Sequence, residues 1–380
     1  MTAVDGKIPT IEDRRVLPLA FSMLKGTGIA FLRHIEENGI SLDEFFRLPS
    51  SDLVKRLSLR NASIVDAMLR NEAIERASQE LIFCDSHSIR VLFPDDENYP
   101  LRLRQLHDAP TALFILGDCD LNPPKALSFV GTRTPTPYGV NFTRTAVLDL
   151  ADIHQPMIVS GLAYGIDSVA HTAALEAEIP TVAVVAHGLD TIYPAPHRDL
   201  ARRIIHQGGA IISEYPRGEK PFRNRFLERN RIVAGLSDGC VIAESDIRGG
   251  AMSTAAIAFG IDREVMALPG RISDKFSSGC NHLIRKNRAW LICNARDISS
   301  VMNWGEEKPS VDAMDRSLFP ELEEPQKSIF ETLAASTDPV GIDTLHAATG
   351  YSAAILMSQL NDMEFEGLIV KYPGNRYLPA

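Results

Sequence analysis

Ala126-Leu127-Ser128-Phe129-Val130-Gly131-Thr132-Arg133 decides the fold, because a five-residue apolar run passes straight into a glycine, a hydroxyl and an arginine. A run this short and this apolar is a strand buried on both faces. The glycine permits close backbone approach, Arg133 carries a guanidinium that forks onto a phosphate, and a helix is predicted to begin near Pro137 or Tyr138. The same texture recurs across residues 82–293, in runs at 157–160, 181–185, 210–213, 240–243, 264–268 and 289–293, each beside a turn and a helical stretch. Such alternation predicts an α/β core with a parallel sheet covered on both faces. Ligands of such sheets bind outside the carboxyl ends of the strands.

Two further strand-to-helix loops carry the same chemistry. Ser160-Gly161-Leu162-Ala163-Tyr164-Gly165-Ile166-Asp167 leads into a helix near Ile166, whose first backbone N–H groups favour an anion. Gly249-Gly250-Ala251-Met252-Ser253-Thr254 precedes a helix over 255–259, with Ser253 and Thr254 supplying hydroxyls for phosphate oxygens. Any one of these loops is equally well an ordinary tight turn; three of them converging on one sheet edge are far more specific. Beside them runs Arg-Gly-Glu-Lys-Pro-Phe-Arg-Asn-Arg-Phe-Leu-Glu-Arg-Asn-Arg, residues 217–231, with six bases and two acids. Cations interleaved with Phe222 and Phe226 suit a single strand, whose backbone is tracked by charge and whose unpaired bases stack on rings. Taken alone, the run reads more readily as a solvated face over buried phenylalanines.

The chain as a whole opposes a nucleic-acid partner, since 380 residues carry a formal net charge of −10. Distribution decides otherwise. Residues 306–380 hold thirteen acids and five bases, so most of the negative excess lies at the C-terminal end. The five cysteines form no C-x-x-C pair, and His171, His187 and His197 are dispersed, so neither metal nor disulfide framework is expected. There is no G-x-G-x-x-G after a strand and no G-x-x-x-x-G-K-[ST], so no dinucleotide or nucleotide cofactor is expected. No apolar stretch approaches the ~20 residues of a membrane span and the N-terminus lacks a signal pattern. A cytoplasmic protein without a membrane anchor is expected.

At both ends the pattern changes. Residues 16–76 repeat apolar positions every three or four and predict a helical domain, in which Lys25-Gly26-Thr27-Gly28 is either a helix-hairpin-helix turn or a plain interhelical turn. Residues 303–325 read as a polar linker; three helices and a terminal hairpin around Pro373-Gly374-Asn375 then suggest a winged helix. The expected division is 1–80 helical, 81–302 Rossmann-like, 303–324 linker and 325–380 winged helix. The charge of the last segment argues for a regulatory or protein-binding role over duplex binding.

The ordered motifs Phe129-Val130-Gly131-Thr132-Arg133, Ser160-Gly161-Leu162-Ala163-Tyr164-Gly165-Ile166-Asp167, Tyr193-Pro194, Glu214-Tyr215-Pro216, Arg229-Asn230-Arg231-Ile232-Val233-Ala234-Gly235-Leu236-Ser237, Leu268-Pro269-Gly270 and Ser278-Gly279-Cys280-Asn281-His282-Leu283-Ile284 resemble the DNA-processing protein A (DprA, or Smf) family, most densely over 99–293. The resemblance implies an extended Rossmann-like domain that binds single-stranded DNA, forms a homodimer and loads the RecA recombinase on incoming DNA during natural transformation. It implies a sterile-alpha-motif-like domain before this core and a winged helix after it. Arg133 occupies the place of the family's DNA-contacting arginine, and Arg223, Arg225, Phe226, Arg229, Asn230 and Arg231 fall in its basic DNA-facing loop. Tyr164 stands where many members have a cation and Leu227 where most have proline, so one contact and the loop's shape differ here.

The expectation is therefore a binding protein with no catalytic residues. The alternative is a nucleotide hydrolase, since phosphoribohydrolases share a similar core with a P-G-G-x-G-T-x-x-E loop. Residues 249–257 lack the glutamate after Thr254 that would serve as general acid or base.

Overall fold

The computed structural model describes residues 13–60, 62–304, 322, 324–336, 339–372 and 375–379. The chain divides into two compact units, Met1–Gly305 and Glu306–Ala380.

The first unit begins with helices α1 (Val16–Met23), α2 (Ile29–Glu37), α3 (Leu42–Arg47), α4 (Ser50–Arg56) and α5 (Ala67–Ser86). Their apolar faces meet around Phe45, which packs edge-on against Phe21 and Phe46. The turn at residues 25–28 is an interhelical turn, in which the Thr27 hydroxyl donates to the Leu24 carbonyl at the end of α1. Helix α5 runs across residue 80, where a domain boundary was expected, and leads directly into the sheet.

From there the chain runs β1 (Ile89–Leu92), α6 (Leu101–Arg104), β2 (Leu113–Gly117), β3 (Ala126–Val130), α7 (Pro137–His154), β4 (Met157–Ser160), α8 (Ile166–Glu176) and β5 (Thr181–Val184). It continues through α9 (Arg198–His206), β6 (Ala210–Ser213), α10 (Arg223–Gly235), β7 (Gly239–Ile242), α11 (Gly250–Gly260), β8 (Glu264–Ala267), α12 (Ser278–Arg285), β9 (Trp290–Leu291) and α13 (Ala295–Val301). The strands form one nine-stranded sheet in the order β1-β2-β6-β5-β4-β3-β7-β8-β9.

All seven apolar runs read from the sequence are strands, and β6 through β9 in that order pair in parallel. Two corrections follow. The sheet is mixed, because β1 and β2 add an antiparallel edge onto β6. Neither strand was read in the sequence: β1 is a short edge strand broken by Arg90, and the direction of β2 is set by a partner far along the chain. The run at 289–293 shrinks to a two-residue exposed strand, since it has a neighbour on one side only.

Topology places the site. The chain steps outward from β3 through β4, β5 and β6, then returns to the other side of β3 as β7. The strand order therefore reverses at β3, and the loops leaving β3 and β7 diverge into a crevice, the usual ligand position in open α/β sheets.

The second unit has its own core around Ile329, Leu333, Leu345, Leu356, Leu360 and Tyr377. Helices α14 (Gln326–Ala334), α15 (Ile342–Thr349) and α16 (Ala353–Phe365) match the three expected. Strands β10 (Val340–Gly341), β11 (Ile369–Tyr372) and β12 (Arg376–Pro379) pair in the order β10-β12-β11, which adds a strand to the expected hairpin. The expected linker falls mostly outside the described residues, as do Pro373 and Gly374 of the turn. No helix among the described residues is long and apolar enough to cross a membrane.

One core group makes stability depend on pH. His171 of α8 is fully buried, its Nδ1 is 2.7 Å from the Thr181 hydroxyl, and burial pushes its pKa down to about 3. Below pH ~6.5 the unfolded chain takes up a proton that the native state refuses, so stability falls with acidification by about 1.4 kcal/mol per pH unit until pH ~3. Urea midpoints between pH 7 and 5 will fall more steeply for the native protein than for His171→Asn.

Candidate nucleic-acid interface

The loops leaving β3, β4 and β7 are stitched to one another by backbone hydrogen bonds. Thr132 N–H donates to the Glu244 carbonyl at 2.7 Å, and Ile166 N–H donates to the Thr132 carbonyl at 3.2 Å. Gly165 makes the second junction possible: its φ is +81°, and a Cβ there would lie 2.2 Å from the Thr132 carbonyl oxygen. Ser245 then accepts from Gly279 N–H and donates its own N–H to Phe276, which ties in the start of α12.

These loops and α10 enclose an open crevice of about 830 Å³. Of the residues predicted from sequence, Gly131, Thr132, Arg133, Ala163, Arg223, Phe226, Arg229, Asn230, Gly249, Gly250, Ser253 and Thr254 line it. Ser160, Gly161, Tyr164, Gly165, Arg225 and Arg231 do not. Ser160 is fully buried, donating its hydroxyl to the Phe129 carbonyl at 2.6 Å.

Charge at the mouth comes from three elements. Arg133, Arg223 and Arg248 are exposed crevice residues, none with a carboxylate partner among the described residues. The Arg133 guanidinium lies 5.4 Å from the centre of the Phe226 ring, and Tyr193 stands 6.0 Å beyond it. Helix α11 opens between Gly249 and Gly250 with no acid in its first turn, so the backbone N–H groups at its start add a positive end.

The structure departs from the expected site at three points. Most of the expected basic loop is helix α10, and the helix runs unbroken through Leu227. Within 217–231, Arg217 pairs with Glu80, Arg225 with Glu219, and Arg231 with Glu214 and Asp108, so these cations are committed inside the protein. Second, the anion at the start of α8 is the chain's own: the Asp167 carboxylate accepts from Gly161 N–H at 3.1 Å and Ala163 N–H at 3.3 Å. Third, Ser253 and Thr254 lie inside α11. Ser253 accepts from the Asn230 amide at 3.1 Å, and Thr254 is buried, which leaves Gly249 and Gly250 as the backbone contribution.

Arg229 forms the floor. Only 4% exposed, it donates Nη1 to the Val184 carbonyl at 2.6 Å and lies so close to Gly161 that any Cβ there would overlap it. Burial pushes the Asp167 carboxyl up and the Arg229 guanidinium down, and each restrains the other. Sequence reasoning missed Arg248 and Tyr193; the first directly precedes the third glycine loop and the second stands in a quoted motif, so both were within reach.

Fold and crevice define a Rossmann-like α/β protein with an arginine-bearing cleft at its switch point, followed in the chain by a winged helix. The chain belongs to the DNA recombination-mediator protein A family, whose model matches residues 90–303, and the DprA winged helix domain matches residues 316–375. It is 36% identical to protein Smf of Escherichia coli over 282 residues, covering 74% of this chain and 75% of that one. The crystal structure of DNA processing protein A from Streptococcus pneumoniae superposes with a TM-score of 0.62 at 31% identity, covering 75% of this chain and 96% of that one. DNA processing protein A from Helicobacter pylori, characterised for its single-stranded DNA binding mode, gives a TM-score of 0.51 at 34% identity over 57% and 96% of the two chains.

Exposed and buried arginines are expected to behave differently. Arg133→Ala changes stability by less than about 0.5 kcal/mol, whereas Arg229→Ala strands the Asp167 carboxylate and costs about 3 to 5 kcal/mol. Thermal melts of the two variants read this directly; an unchanged melt for Arg229→Ala would reassign that residue from floor to ligand contact.

Proposed function

We propose that the crevice binds single-stranded DNA, and that the protein acts in the cytoplasm as a homodimer that protects incoming DNA and helps load the RecA recombinase during natural transformation. Binding, without catalysis, is the whole of its chemistry. The observation that carries this reading is the Arg133–Phe226 pair at the mouth of a crevice also lined by Arg223, Arg248 and the start of α11. Guanidinium groups and an amide-lined helix end hold phosphates, and a ring beside them offers a base a stacking surface that every sequence can use. A duplex, with its bases already stacked, gains nothing from Phe226 and Tyr193.

Membership of a recombination-mediator family and the single-stranded DNA mode of the Helicobacter pylori relative support the same reading. The hydrolase alternative finds little support in the crevice. Asp167 is held by two amides near the Arg229 charge, and Asp246 faces Lys275 at 3.7 Å.

Fluorescence anisotropy of a labelled oligonucleotide across a salt series tests the proposal. Single strands will bind more tightly than duplex, with Arg133→Ala about tenfold weaker and its log K against log salt slope reduced by about 0.7. Phe226→Ala will cost about 1 to 3 kcal/mol of single-strand affinity. Equal binding of both strands forms, or no effect of Arg133→Ala, would sink the site assignment.

A further inference from the structure

We propose that a single strand leaving the crevice continues over the outward face of α9, which makes that helix a second backbone-binding surface. The proposal rests on the crevice reading above and extends its path.

Helix α9 is amphipathic in a way that isolates its cations. Ala201 and Ile204 are buried against the sheet, while Arg198, Asp199, Arg202, Arg203 and His206 are exposed. Arg198, Arg202 and His206 follow one another at four-residue spacing and share a row, with Arg203 beside them. Three guanidiniums and one carboxylate leave this face positive in a chain whose formal net charge is −10. None of the three arginines has a carboxylate partner among the described residues, and Asp199, one turn before Arg203, makes no ion pair with it. Arg217, Arg225 and Arg231, later in the chain, are all paired with carboxylates, so the unpaired arginines of α9 are not the general state of arginines in this protein.

The second observation is continuity. Tyr193 lines the crevice beside Phe226. Four residues on, His197 packs edge-on against Tyr164 with ring centres 4.8 Å apart, and α9 begins at the next residue, Arg198. The ring contacts Tyr193–Phe226 and Tyr164–His197 thus sit at the two ends of the short stretch of chain that runs from the crevice to the first arginine of α9. Tyr164 and Tyr193 are 45% and 46% exposed, large rings held at the surface where bases can stack. Tyr164 becomes a stacking step on this path. A nine-residue helix is about 13 Å long, enough for roughly three or four stacked nucleotides.

The test is length-dependent binding. Anisotropy is measured with oligothymidylates of about 6 and about 20 nucleotides, the shorter one filling the crevice alone. The variant Arg198→Ala/Arg202→Ala/Arg203→Ala will bind the short strand as the native protein does, which also shows that its fold is intact. It will bind the long strand about tenfold more weakly, with a salt slope lower by about 2. Unchanged affinity and slope on the long strand overturn the proposal, as does a native protein that gains nothing from the added length. Arg133→Ala separates the two readings, because it weakens both lengths if the crevice is the primary site. Loss confined to the triple variant, with Arg133→Ala neutral, overturns the crevice reading and with it the continuous path, and makes α9 a separate site.

Discussion

A buried guanidinium underlies the crevice. Arg229 reaches from α10 to the end of β5, packs on the glycine that follows β4, and faces Asp167 on α8. Burying either charge alone costs several kcal/mol, and only their proximity, with two amides on the carboxylate and a carbonyl on the guanidinium, makes the arrangement stable. The consequence is geometric. Four elements are held in one relation, Gly161 has no room for a side chain, and the loop bearing Arg133 is seated against α8 through Gly165. The floor is charge-balanced and fixed, so the net positive charge of the site belongs to the side chains above it.

A second layer fixes the wall. Arg76, Glu80 and Phe83 of α5 engage the segment before α10, through Arg76–Glu219, Arg217–Glu80 and the Arg217 guanidinium 5.2 Å from the Phe83 ring centre. Glu219 also holds Arg225. Exposed pairs of this kind are individually weak, yet Glu80 is nearly buried and its cost of desolvation is met only when Arg217 is in place. The helical region therefore does more than precede the sheet: it orients the segment that delivers Arg223 and Phe226 to the crevice.

Much of this was legible in the sequence, and the boundary of legibility is physical. Strands buried on both faces announce themselves as apolar runs, which is why β3 to β8 were read within a residue or so. Glycine loops and the order of motifs located the crevice. Partnership was not legible. Nothing local distinguishes Arg223, left exposed, from Arg229, buried six residues later on the same helix, because the difference is set by Asp167 and Val184 from other parts of the chain. Likewise the start of α8 reads as an anion site in sequence, and is one, but its anion is Asp167. Counting charges along 217–231 thus overstated the cationic surface there and overlooked Arg248, which supplies its share from a different loop.

The acidic total of the chain and a phosphate ligand are reconciled by distance. At physiological salt, charges separated by more than about 8 to 10 Å are largely screened, so net charge governs the far field and local arrangement governs the bound state. Arg133, Arg223 and Arg248 lie on one crevice, above an internally neutralised floor and beside a helix end without acids. A ligand seated there feels those groups at short range and the remaining acids weakly. The same acids lower the attraction of any polyanion that cannot reach the crevice, and a stiff duplex, whose phosphates and stacked bases cannot fold into a loop-lined cleft, is the polyanion most affected. The proposed selectivity for an unpaired strand rests on combining a locally cationic, ring-bearing cleft with a globally acidic surface, and neither feature alone would produce it.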